Sequence, residues 1–83
     1  MKVTVYTAPY CTQSKATVVM MQRLGIEHEC IDVTSNPDVV ETLLRDGHKA
    51  FPVVVAEARG RKSSWWGFRP ELIQMLLPFV GRT

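Results

Sequence analysis

The chain has 83 residues, 46% of them hydrophobic and 22% charged, which suits a single small globular domain over 1–83 and not a disordered segment. Ten basic residues against eight acidic ones leave a formal charge of +2, too balanced for a nucleic-acid binder. With only two cysteines, no stretch of membrane-spanning length and no apolar leader after Met1, the expected setting is a reducing cytosol, with no membrane partner.

Val3-Thr4-Val5-Tyr6 alternates and is rich in β-formers, so it reads as a first strand that Thr7-Ala8-Pro9 ends. A helix follows from about Cys11 or Thr12 to Leu24. Its inward stripe is Ala16, Met20, Met21 and Leu24, and Gly25 stands in the C-terminal cap position. Ile26 to Val33 reads as a second strand with His28, Cys30 and Asp32 on one face. Asn36, Pro37 and Asp38 start a second helix, with Val40, Leu43 and Leu44 inward and Gly47 at its end.

Pro52 to Ala56 is a continuous apolar run, the pattern of a strand buried on both faces. A turn around Gly60 leads to a fourth strand, Ser63 to Trp66, which Gly67 breaks. Alternation sends Trp65 and Trp66 to opposite faces, so at least one belongs to the core. Pro70 opens a third helix with Leu72, Ile73, Leu76 and Leu77 inward, ended or kinked by Pro78. The order β-α-β-α-β-β-α implies an α/β fold: one mixed four-stranded sheet, its first pair parallel, with helices on both faces. The basic stretch Arg59-Gly60-Arg61-Lys62 reads first as a solvated turn and second as a docking patch for an acidic partner.

Cys11 is the candidate reactive residue. At a strand-to-helix junction, free backbone N–H groups and the helix dipole stabilise a thiolate and lower its pKa below the ~8.5 of a free thiol. Cys30, inside a strand, reads instead as a buried small hydrophobe. His28, His48, Asp32 and Cys30 lack metal-ligand spacing, so neither a metal nor a cofactor is expected.

The segment YTAPYCTQSKAT, Tyr6 to Thr17, resembles the Cys-x-x-Cys active-site segment of glutaredoxin-like redoxins. Thr12-Gln13 is similar to the middle pair of the NrdH-type subfamily. WWGFRPELI, Trp65 to Ile73, is similar to that subfamily's Trp-Ser-Gly-Phe-Arg-Pro signature, and AFPVVV, Ala50 to Val55, resembles the cis-proline segment of the thioredoxin fold. Each motif alone is weak, but three in this order are fairly specific. The resemblance implies the thioredoxin/glutaredoxin fold and a thiol–disulfide electron carrier, reduced by thioredoxin reductase and serving class Ib ribonucleotide reductase. By the same resemblance Cys11 is the nucleophile, flanked by Thr12 and Gln13. Pro52 is the cis-proline, which frees the Phe51 backbone to pair with a partner. Trp65, Gly67, Phe68 and Arg69 form a surface that either docks partners or covers the sheet. A glutathione site is not implied, because the glycine pair and acidic segment it needs are replaced by Trp65 to Pro70. The oligomeric expectation is a monomer.

One departure is serious. The resolving cysteine of the family pattern is Ser14 here, which can hydrogen-bond a thiolate at Cys11 but cannot resolve a mixed disulfide. Three explanations stand: an engineered Cys→Ser replacement, ranked first; a natural monothiol variant that uses an outside thiol, as iron–sulfur-carrying monothiol glutaredoxins do; or a binding-only module. Lesser departures are Trp66 in place of the signature serine, the bulk of Phe51, and a hairpin from Glu57 to Ser64 that is long for the family.

Overall fold

The computed structural model describes residues 1–80. Its elements are β1 (Lys2–Thr7), α1 (Thr12–Arg23), β2 (Glu29–Asp32), a 3₁₀ turn (Val33–Ser35), α2 (Pro37–Arg45), β3 (Val53–Ala58), β4 (Arg61–Trp66), α3 (Pro70–Gln74) and a second 3₁₀ turn (Leu77–Phe79). The sheet runs β2-β1-β3-β4, with β1 parallel to β2 and antiparallel to β3, and β3 antiparallel to β4. This is the mixed four-stranded sheet, its first pair parallel, that the element order implied, and it agrees with the fold that the resemblance implied.

The main core lies on one face of the sheet. Val3 and Val5 of β1, Val54 and Ala56 of β3 and Trp65 of β4 point there, against Met21 of α1, Ile26, Ile73 of α3 and Leu76. Met21 and Ile73 are fully buried. Truncating either to alanine removes apolar contact and leaves a cavity, at a cost of about 2–5 kcal/mol.

Both long helices end in the same way. Gly25 adopts φ +70°, and the N–H groups of Gly25 and Ile26 bond back to Gln22 O and Met21 O. Gly47, at φ +97°, repeats this, with Gly47 and His48 bonding to Leu44 O and Leu43 O. These are Schellman caps, which require a left-handed residue just past the helix. The first explains why β2 starts at Glu29 rather than Ile26. Ile26 is the residue after the capping glycine, is buried in the core, and its carbonyl contacts His28 Nδ1 at 2.8 Å.

Other expectations need correction. The most buried line of α1 is Ser14, Thr17 and Met21, while Ala16, Met20 and Leu24 are half-buried. Thr17 can sit there because its hydroxyl donates to Gln13 O at 2.9 Å. Leu44 is exposed because α2 turns Leu43, one residue earlier, toward the sheet. Leu77 is exposed because α3 stops at Gln74 and the tighter 3₁₀ turn changes the period of the inward face. β3 and β4 extend to a tight turn at Arg59-Gly60, so residues 57–62 are mostly strand. Asn36 caps α2 without a side-chain bond to it, since its amide donates to Asp32 O instead.

Candidate redox site

β1 ends at Thr7 and the chain turns through Pro9 and Tyr10, the latter at φ +57° and fully exposed, to set Cys11 at the N-cap of α1. Cys11 is half-buried as a residue, and its sulfur accepts from the Ser14 backbone N–H at 3.4 Å. The thiol form can donate to the Phe51 carbonyl at 3.5 Å. A hydrogen bond from the Ser14 side chain is the first cause that lowers the Cys11 pKa. Partial burial opposes it, and the Ser14 and Gln13 amides add to the lowering. The site is thus built to hold a thiolate.

Ser14 itself is buried, and its oxygen accepts from the Ala8 N–H at 3.4 Å. One residue therefore ties the loop before the helix and solvates the sulfur. A shallow depression of about 500 Å³, lined by Thr7, Ala8, Tyr10, Thr12, Ser14 and Lys15, opens on Cys11. A larger cleft, about 590 Å³, lies elsewhere, between α2 and the opposite sheet face, with His48 and Ser64 in its wall.

Two further segments converge on Cys11. The Phe51–Pro52 peptide is cis and brings the Phe51 carbonyl to the sulfur. Gly67 N–H donates to Pro52 O at 2.8 Å, and Phe68 N–H donates to the side-chain oxygen of Gln13 at 2.9 Å. Gly67 is needed for two reasons. It sits at φ +83°, and a Cβ there would lie 3.2 Å from that same Gln13 oxygen. Cys11, Gln13, Ser14, Phe51, Pro52, Gly67 and Phe68 thus form one frame, and Thr12 lies exposed on its rim.

The tryptophans divide. Trp65 is buried in the core and its indole N–H has no hydrogen-bond partner among the described residues, whereas Trp66 is 42% exposed. Trp65 therefore cannot be a docking residue facing a partner; the exposed tryptophan is Trp66. Arg69 is exposed, caps α3 and pairs with Glu71. Cys30 also departs from expectation. It is exposed because β2 is an edge strand, and partial desolvation raises its pKa. His48 lies in a loop yet is buried, with Nδ1 at 3.0 Å from Leu43 O and Nε2 at 3.0 Å from Ser64 Oγ. Since a carbonyl only accepts, Nδ1 carries the proton, and His48 reads as a satisfied structural histidine. Among the described residues no three His, Cys, Asp or Glu side chains gather as a metal site. No described helix is long and apolar enough to cross a membrane.

The position of Cys11 before a helix follows from the local sequence and the cis Phe51–Pro52 bond from the resemblance, whereas the Phe51 carbonyl on the sulfur, the Gln13–Phe68 bond and the burial of Ser14 do not. These are contacts between segments 40 to 55 residues apart or a consequence of helix rotation, and no local pattern encodes them.

The model of the glutaredoxin family matches residues 3–60. The glutaredoxin-like protein NrdH of Salmonella typhimurium is 40% identical over 78 residues, covering 94% of this chain and 91% of its own length. Its Escherichia coli K12 counterpart is 38% identical over the same span. Among solved structures, the E. coli NrdH-redoxin, described as having a thioredoxin-like activity profile, superposes with a TM-score of 0.84 at 38% identity, covering 92% of this chain and 95% of that one. A glutaredoxin from Archaeoglobus fulgidus matches at a TM-score of 0.68 and 21% identity, covering 90% and 84%, a likeness of fold alone.

Proposed function

The chain belongs to the glutaredoxin family as an NrdH-like redox protein, and from that premise we propose that it is a cytoplasmic, monomeric, single-thiol electron carrier whose nucleophile is Cys11. The observation that carries this reading is the Cys11 sulfur at the N-cap of α1, where it accepts from the Ser14 backbone N–H.

The Cys11 thiolate attacks one sulfur of a partner disulfide. That S–S bond breaks, its electron pair leaves on the second sulfur as a thiolate, and a Cys11–partner disulfide forms. In a dithiol site the residue at 14 would then attack Cys11 and release the reduced partner. A serine hydroxyl stays protonated and cannot form a disulfide, so the reaction stops unless an outside thiol attacks. Phe51 and Pro52 present backbone to an extended partner segment, and Thr12, Phe68 and Arg69 line the docking rim, with Gly67 buried behind it. Gln13 holds that rim to α1, and Trp65 supports it from the core. The partners that fit are thioredoxin reductase as donor and class Ib ribonucleotide reductase as acceptor.

The test compares this chain with Ser14→Cys in NADPH oxidation with thioredoxin reductase and a disulfide substrate. Turnover is expected in the variant and almost none in the parent, with intact-mass analysis finding a stable Cys11 mixed disulfide in the parent. If both proteins are folded yet inactive, the electron-carrier reading is wrong and the chain is a binding module.

A further inference from the structure

The end of the sheet farthest from Cys11 has a charge character unlike the rest of the chain. A concavity there, about 590 Å³, is lined by Lys2, Glu57, Arg59, Arg61 and Lys62 with the turn at Gly60. Four cations against one carboxylate make this end +3 in a chain whose total is +2, so everything else together carries −1. Glu57 sits between Lys2 and Lys62 in the strand register and touches Lys62 at 3.9 Å, which leaves Arg59 and Arg61 without that neutralisation. Arg61, Lys62, Ser63 and Ser64 are all exposed.

These residues also form an edge. Among the described residues β4 pairs only with β3, so alternate backbone N–H and C=O groups along its other side point outward. The six residues of β4 span about 20 Å at ~3.3 Å each. The edge is graded: cations at the turn, two serines in the middle, and the exposed Trp66 at the end next to the redox frame.

We propose that β4 is a docking strand for an extended acidic segment of a partner protein, which adds to the sheet edge with its carboxylates beside Arg59, Arg61 and Lys62 and its apolar residues beside Trp66. Free backbone groups favour a peptide over nucleic acid or a lipid surface, because only a peptide can continue the ladder. Like-charge repulsion disfavours pairing of two β4 edges with each other, and the cations select an acidic segment. The surface is separate from the thiol chemistry and stands whether or not Cys11 turns over with a reductase.

The experiment uses a fluorescein-labelled peptide, Glu-Glu-Val-Thr-Val-Thr-Val-Glu-Glu, with anisotropy as readout on the full chain. Saturable binding is expected that weakens as salt is raised, that falls at least about tenfold in the double variant R61E/K62E, and that disappears when every amide of the central five residues is N-methylated. Amide exchange in β4 should slow on binding. Cys11→Ala should bind as the parent does, and the double variant should keep its circular dichroism and its Cys11 alkylation rate. The proposal is overturned if the N-methylated peptide binds equally, if R61E/K62E binds unchanged, if no binding occurs, or if a thymidine oligonucleotide or anionic vesicles bind more tightly at the same site. Should the double variant unfold, the N-methylated peptide on the parent chain still decides.

Discussion

Cys11 and Cys30 are the same residue in opposite surroundings. Cys11 sits at a helix start, where the Ser14 hydroxyl and amides lower its pKa against partial burial. Cys30 lies on an edge strand, more exposed as a residue, yet among the described residues nothing donates to its sulfur, and partial desolvation raises its pKa. Exposure alone therefore does not make a cysteine reactive. What matters is whether fixed dipoles meet the charged form, and the backbone supplies those at α1 and not along β2.

Replacement of each thiol is the strongest way to break the contrast. Cys11→Ser should abolish the fast reaction with an aromatic disulfide reagent at neutral pH, whereas Cys30→Ser should leave that phase unchanged. A fast phase that vanished with Cys30 would reverse the assignment. Gly67→Ala should come next. It forces a side chain into a left-handed conformation and against the Gln13 oxygen, at about 1–2 kcal/mol. Its denaturation midpoint should fall and its Cys11 alkylation rate should change, while Cys30 alkylation stays the same.

The smallest expected effect is on titration, and it sharpens the comparison most. The folded pKa of Cys11 lies below its unfolded value. Its thiolate therefore adds stability that is fully present above the unfolded pKa and is lost as pH falls through the folded one. For Cys30 the folded value is raised, so its contribution runs the other way and stability declines as pH rises past the unfolded pKa. Ser14→Ala should move the alkylation midpoint of Cys11 upward toward that of an ordinary thiol and leave Cys30 in place. Rate–pH profiles for the two sites, resolved by peptide mapping, measure this. An unmoved Cys11 midpoint would remove Ser14 from the thiolate's support.

Much of the framework was legible from local chemistry. Gly25, Gly47 and Pro37 stand where helix caps and starts need them, and all three act there. The alternation of β1 and the run of β3 predicted their strands. The misreadings share one cause: which face an element turns inward depends on its neighbours. Ile26 has strand chemistry but completes a helix cap, and Leu44 and Leu77 have core chemistry but face solvent. Cys30 was expected inside because its strand was, yet β2 turned out to be a sheet edge.

The sequence by itself determined the order of elements, the placement of Cys11 before a helix, and the absence of a second thiol at Ser14. Each is a property of residues close together in the chain: hydrophobic period, capping and side-chain identity. Only the tertiary structure decided that Trp65 is core and Trp66 surface, that Phe51 and Gln13 complete the frame around the sulfur, and that β4 carries its cations on an open edge. Those outcomes depend on strand order and register, which are set by packing between segments distant in sequence.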